Sequence, residues 1–289
     1  MVLEVYSWFN YSGFGNIVPA GHCRLCQGKI SANGRTLMAV VLSAKNLIKS
    51  FGGVKAVDDV SFEVESGKLL AMIGPNGAGK TTCFNLLNGQ LLPDAGSVKL
   101  VDKELVGLTP RQIWRLGVGR TFQITATFGS MTVLENVQMT LLSHYKKSIA
   151  VKSLVRDLYV EEAMALLERV GMAEQAERAC SILAYGDLKR VELAVALGNK
   201  PSLLLMDEPT AGMAPRERIE LMRLTAEIVR ERNISVLFTE HDMDVVFGHA
   251  DKVIVLNRGA LIAQGEPNEV RNDPEVQEIY LGRGSTFAA

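Results

Sequence analysis

Residues Gly74-Pro75-Asn76-Gly77-Ala78-Gly79-Lys80-Thr81 satisfy the pattern G-x-x-x-x-G-K-[ST] at every position, and no other feature limits the possible folds as strongly. An apolar stretch, Lys68 to Ile73, precedes them, and a helical pattern from about Gly79 to Asn88 follows. A phosphate loop needs that strand, loop and helix setting, because the helix N-terminus supplies unpaired N–H donors and the positive end of its dipole. Glycines let the backbone curl around phosphate oxygens. In such a loop Gly74 to Ala78, Gly79 and Thr82 would line the cradle and Lys80 would reach the β- and γ-phosphates. The Thr81 hydroxyl would sit on Mg²⁺.

A second element lies far downstream. Leu203-Leu204-Leu205-Met206-Asp207-Glu208 reads as an apolar strand ending in two carboxylates, which delivers charge to the C-terminal sheet edge where open α/β sheets bind ligands. Asp207 is placed to hold Mg²⁺ through water. Glu208, pointing elsewhere, is placed to orient and deprotonate an attacking water. Adjacent acids after a strand are by themselves often a solvated turn; the phosphate loop upstream favours the chemical reading. Lys80 and Asp207 are separated by far more chain than one βαβ unit needs, so a segment is inserted between the halves of the site. The helical pattern from Met131 to Ala179 fits it, with Tyr159, Ala163, Leu166, Leu167 and Val170 at helical spacing before a terminating Gly171.

From Gly186 the alternation resumes as a helix to Leu197, the strand Leu203 to Met206, a helix from about Arg216 to Arg230, and a strand Ile234 to Phe238. Such alternation implies βαβ units and a parallel sheet, and its uncharged strands imply cover on both faces. Ahead of the phosphate loop, Ala39 to Leu42, Asn46 to Phe51 and Val60 to Val64 read as strands. Residues 1–37 show no period that would pack, so the domain is expected to begin near Met38, with the preceding stretch either a disordered extension or the product of an upstream start codon.

Composition excludes several classes. Across 289 residues, 31 Lys plus Arg oppose 32 Asp plus Glu for a net charge of −1, without the basic excess of a nucleic-acid binder. No apolar run approaches the ~20 residues of a membrane-spanning helix, and the N-terminus lacks the basic region of a signal peptide. The four cysteines suit a reducing compartment. Cys23-Arg24-Leu25-Cys26 is a single C-x-x-C, short of the two further ligands that a zinc site needs, and Cys83 reads as a small packed side chain.

In their order and spacing these motifs resemble the ATP-binding cassette of ABC transporters, over roughly Val41 to Gly282. Arg120-Thr121-Phe122-Gln123 looks like the family's glutamine loop, with Gln123 sensing Mg²⁺ and facing the membrane partner. Leu183-Ala184-Tyr185-Gly186-Asp187 occupies the signature position ahead of a helix, and Thr239-Glu240-His241-Asp242 looks like the switch region in which His241 contacts the γ-phosphate. Phe51, before Gly52-Gly53, sits where the family stacks an aromatic ring on adenine. A lone His after a strand or a lone Phe before two glycines would be ordinary capping or packing; order and spacing decide.

The resemblance implies an α/β P-loop NTPase with a RecA-like parallel-sheet core, an N-terminal antiparallel β subdomain and a helical subdomain over about 124–186. It implies ATP hydrolysis with Mg²⁺, a second cassette as homodimer or paralogue, and integral membrane permease subunits. A periplasmic or extracellular solute-binding protein would act indirectly, nucleic acid would play no part, and the chain would lie peripherally on the cytoplasmic face of the cell membrane.

Two departures stand out. The signature carries Ala184 for the usual Ser and Asp187 for the usual Gln, so one hydroxyl contact to the partner's nucleotide is lost, leaving Gly186 and the helix N-terminus to supply backbone donors. Ala214 replaces an Asp that many members use for cross-dimer signalling. The Leu-Ala-Tyr-Gly signature, Met131 to Val137, Glu240 to Met243 and Tyr280-Leu281-Gly282 look like the longer ATPase of branched-chain or hydrophobic amino-acid importers. Urea importers and lipopolysaccharide exporters carry related cassettes and remain alternatives. A soluble cassette acting on DNA or ribosomes would carry a long coiled coil or a second cassette, and this chain has one phosphate loop and no sustained heptads. A module that binds ATP without turnover would not need Glu208 and His241.

Overall fold

The computed structural model describes residues 39–121, 127–145 and 157–281; the expectations for residues 1–37, for Phe122 and Gln123, and for Gly282 lie outside them. From Val40 onward the described residues belong to one compact unit.

The strand segments ahead of the phosphate loop merge. Ala39 to Leu42 and Asn46 to Phe51 form parts of one strand, β1 (Val40–Phe51), and the third expected segment lengthens to β2 (Val54–Glu65). The irregularity between them is local: Asn46 has φ 49, its N–H donates to Ser61 Oγ at 2.8 Å, and the β1–β2 register shifts there. With β4 (Ala95–Leu100) and β5 (Lys103–Glu104) these strands form an antiparallel sheet of order β2-β1-β4-β5.

The second sheet carries the site. Its order is β10-β9-β3-β8-β7-β6, from β3 (Leu69–Ile73), β6 (Val118–Thr121), β7 (Leu203–Asp207), β8 (Ser235–Thr239), β9 (Lys252–Asn257) and β10 (Ala260–Gly265). All pairs are parallel except β9 with β10. Every residue of β3, β7 and β8 is buried, as continuous apolar runs require in a sheet covered on both sides. Side-chain alternation divides them: Leu69, Ala71, Ile73, Leu204, Met206 and Phe238 join one core, while Leu70, Met72, Leu203, Leu205 and Leu237 join the other. Into that second core α1 (Lys80–Leu87) contributes Cys83, Phe84, Leu86 and Leu87, beside Leu42, Leu47, Val60 and Phe62 of the antiparallel sheet. Burial pushes the Cys83 thiol up to about 12, consistent with its reading as a packed side chain.

Helices α2 (Pro110–Arg115), α3 (Val133–His144) and α4 (Val160–Arg169) follow. Tyr159, expected inside α4, caps it instead with φ 59, and Gly171, with φ 71, follows its end as expected. Thr132 and Glu135 form a capping box on α3, at 3.1 and 2.8 Å. Then come α5 (Tyr185–Leu197), α6 (Pro215–Arg232), α7 (Met243–His249), α8 (Pro267–Arg271) and α9 (Pro274–Leu281). Among the described residues no helix is long and apolar enough to cross a membrane.

Helix α6 starts without a side-chain cap from Ala214; Glu217 alone reaches back to the Ala214 N–H, at 3.3 Å. Introducing a hydroxyl satisfies one of the orphan donors, so Ala214→Ser is expected to raise stability by about 0.5–2 kcal/mol. Denaturant titration checks this, and an unchanged or lowered midpoint at equal slope contradicts it.

Candidate functional site

The phosphate loop leaves the C-terminal end of β3 and turns into α1. Ala78 N–H closes it onto the Pro75 carbonyl at 3.0 Å, and Lys80 Nζ folds across it to the carbonyls of Gly74 at 2.6 Å and Pro75 at 3.3 Å. Gly79 has φ 104, and a Cβ there would lie 2.3 Å from the Ala56 carbonyl of β2, so only glycine lets the antiparallel sheet approach this turn. Gly77, with φ 82, has nothing within 4 Å of where a Cβ would lie. No side chain caps α1, and its first N–H groups are left for a ligand.

The tip between β9 and β10 buttresses the loop, since Gly259 N–H donates to the Ala78 carbonyl at 3.0 Å. Pro75, Asn76, Gly77, Arg258 and Ile279 of α9 line a cleft of about 290 Å³ beside it. Phe51, 48% exposed, ends β1 before the Gly52-Gly53 turn, with Lys49 Nζ 5.6 Å from its ring centroid.

The carboxylates arrive on the neighbouring strands. Register pairs Asp207 of β7 with Thr239 of β8, while β3 pairs with β8 on its other side. Thr239, fully buried, donates its hydroxyl to Asp207 Oδ1 at 2.9 Å and accepts the Glu208 N–H at 3.0 Å. Asp207 Oδ2 lies 3.6 Å from the Arg120 guanidinium of β6, which also donates to Asn85 Oδ1 of α1 at 3.2 Å. Burial lowers the Arg120 pKa, and Asp207 opposes that shift. Glu208 holds φ 47, a left-handed conformation that costs a non-glycine residue about 1–3 kcal/mol and concentrates at functional sites. Its Oε1 lies 2.9 Å from His241 Nε2. Burial likewise lowers the Lys80 pKa, against the raising influence of Glu208 and Asp207. Lys80, Asp207, Glu208 and His241 therefore share one electrostatic neighbourhood.

The signature residues occupy another place. Leu183 and Ala184 lead into α5, which begins at Tyr185, one residue before the expected start. A Cβ on Gly186 would meet the Glu217 carboxylate at 3.2 Å, and one on Gly212 would meet the Tyr185 ring at 3.4 Å. The start of α5 thus packs on the loop after Glu208 and the first turn of α6. Asp187 accepts from Gln175 Nε2 at 3.1 Å. Thr81 is exposed and Thr82 half-buried on α1.

Sequence reasoning missed three contributors. Thr239 and Glu240 were visible only as letters of a switch motif, and Arg120 only as the start of a glutamine loop. What betrays them is cross-strand register, which no local pattern encodes. Glu240 is buried; its Oε1 accepts from the Thr210 N–H at 2.8 Å and hydroxyl at 2.6 Å, and its Oε2 from the His241 N–H at 3.2 Å.

A family profile described as "ABC transporter" matches residues 57–211, and one described as "Branched-chain amino acid ATP-binding cassette transporter" matches 260–285. The chain is 41% identical over 249 residues to the high-affinity branched-chain amino acid transport ATP-binding protein LivG of Escherichia coli, covering 84% of this chain and 98% of that one. It is 39% identical over 250 residues to BraF of Pseudomonas aeruginosa, with the same coverage. Among solved structures, the ADP conformation of an ATP-binding cassette of an ABC transporter superposes with TM-score 0.75 at 35% identity, covering 84% of this chain and 99% of that chain.

Burial raises the Glu240 pKa above its ordinary 4.5, as does the Glu208 charge more weakly, against three hydrogen bonds that lower it. A carboxyl whose folded pKa exceeds its unfolded value loses stability as pH rises through that interval. Glutamine does not ionise, so the stability of Glu240→Gln relative to wild type is expected to increase as pH rises from 4.5 towards neutrality. Denaturant titrations across that range check it, and a flat or falling difference contradicts it.

Proposed function

The chain belongs to the ATP-binding cassette family of ABC transporters, and from that premise we propose that it is the ATP-hydrolysing subunit powering an importer of branched-chain or other hydrophobic amino acids. The observation that carries this reading is that the likeness to branched-chain transport subunits continues past the nucleotide loop into β10 and the terminal helices, where a separate branched-chain profile matches.

In this reading the phosphate loop and the N-terminus of α1 bind the ATP phosphates, Lys80 neutralises their charge, and Phe51 stacks on adenine. Thr81, Asp207 and Gln123 offer hydroxyl, carboxylate and amide oxygens, a donor set suited to a hard divalent cation. The buried Asp207 carboxylate, whose charge acts on Lys80, fits such an ion, which would there supply positive charge against the transferring phosphoryl group. Glu208 accepts a proton from the attacking water while His241, within hydrogen-bond reach of Glu208, contacts the γ-phosphate.

A second cassette, identical or paralogous, completes the site by presenting its Gly186 and the N-terminus of its α5. Integral membrane permease subunits dock where Phe128 and Met139, 57% and 40% exposed, border a cleft between α2, β6, α3 and α5. A solute-binding protein acts through those permeases, and the chain works at the cytoplasmic face of the cell membrane. Residues 38–289 form the ATPase domain in this account, and 1–37 an extension outside it.

Leucine uptake into proteoliposomes containing this chain and the membrane subunits that copurify with it tests the proposal. Uptake is expected with ATP on the cassette side and leucine-loaded binding protein on the other, and not with a non-hydrolysable analogue. ATP turnover that neither leucine-loaded protein stimulates nor uptake accompanies would contradict it.

A further inference from the structure

The turn that carries His241 is fastened to the loop after Glu208 at two separate points. At the first, the Glu240 carboxylate, 3% exposed, takes both the N–H and the hydroxyl of Thr210. At the second, Asp242 Oδ2 lies 2.7 Å from Arg218 Nη1, and Arg218 Nε donates to the Met213 carbonyl at 2.8 Å. Thr210 and Met213 are themselves joined, since the Met213 N–H donates to the Thr210 carbonyl at 3.1 Å. The loop is therefore gripped at both ends of one closed turn by residues flanking His241.

This arrangement is costly for mere packing. Glu240 is a desolvated carboxylate near the charge of Glu208, and its removal from water is offset only by the donors it receives from Thr210 and His241. What the grip does secure is the path of Glu208. That residue sits between β7 and the gripped turn with a left-handed backbone, a conformation that relaxes unless its surroundings hold it. Asp242 also caps α7 through the Asp244 N–H at 3.0 Å, so the His241 side of the grip is anchored to a helix.

We propose that Glu240 and Arg218 are positioning residues for hydrolysis, clamping the loop 209–213 to the His241 turn so that Glu208 and His241 stay within hydrogen-bonding distance. The inference rests on the assignment of Glu208 and His241 given above. Misplacing a reacting group by about 1 Å can cost on the order of 10²-fold in rate.

The test uses the full-length chain, with turnover expressed per ATP-binding site from equilibrium binding. Glu240→Ala and Arg218→Ala are each expected to lower kcat at least about tenfold while the KM for ATP stays within about twofold. Because both grip one loop, the double variant should fall little below the worse single variant, whereas independent effects would multiply. Should either variant fail to fold, Thr210→Val, which keeps the N–H but loses the hydroxyl, is expected to lower kcat several-fold, and Thr210→Ser to restore it. A purely structural role would lower the melting temperature and the yield but leave kcat per binding site within twofold of wild type, and that result overturns the proposal, as do multiplying effects. Glu208→Gln in the same assay separates the two readings: retained turnover there removes the assignment on which the clamp rests, while its loss beside fully active clamp variants overturns the clamp alone.

Discussion

The pairing of Asp207 with Thr239 across β7 and β8 is the contact on which the candidate site depends. The two strands are buried along their whole length, and moving one by a residue would drive Met206 or Phe238 into the core packed around Leu205 and Leu237, so close packing on both faces resists a slip. With register held by the core, the polar groups beyond the strand ends meet without adjustment. Thr239 reaches Asp207 and the Glu208 N–H, and His241 reaches the Glu208 carboxylate. The apolar interior thus sets the geometry of charged groups that have no other reason to converge.

The phosphate loop obeys the same logic from the opposite direction. Its position follows β3, but its shape depends on the antiparallel sheet and the β9–β10 tip, which approach so closely that Gly79 admits no side chain. Lys80 lies folded onto two carbonyls of its own loop. Phosphate oxygens bound in the loop would replace those acceptors.

Much of this was legible in the sequence because the informative signals are local. Strand β3, the loop and α1 follow from a contiguous pattern, and β7 with its two acids from an apolar run and its end. Other strands were less visible. β5, β6 and β10 are short or partly exposed strands at sheet edges, and β4 and β9, though interior to their sheets, were marked by no period. The antiparallel β1 looked like two strands because Asn46 breaks its alternation with a left-handed residue. Motifs quoted for a family resemblance also proved to have ordinary structural work: Thr132 and Glu135 cap α3, and Asn136 binds the Phe128 N–H at 2.8 Å, tying down the segment ahead of the helix. Contacts made across strands, such as Arg120 with Asp207, or between the loops that follow them, such as Glu240 with Thr210, have no sequence signature because their partners are distant in the chain.

The central claim is that the ends of β3 and β7 divide the labour, one binding ATP and the other hydrolysing it. Glu208→Gln separates these most directly, since the amide keeps the shape and hydrogen-bonding reach of Glu208 but cannot take a proton from water. Measured side by side by equilibrium binding and steady-state turnover, the variant should bind ATP within about threefold of wild type while hydrolysing it about 10²–10⁴-fold more slowly. Near-normal turnover with saturating ATP and Mg²⁺, or a loss of ATP binding as large as the loss of hydrolysis, would contradict the account.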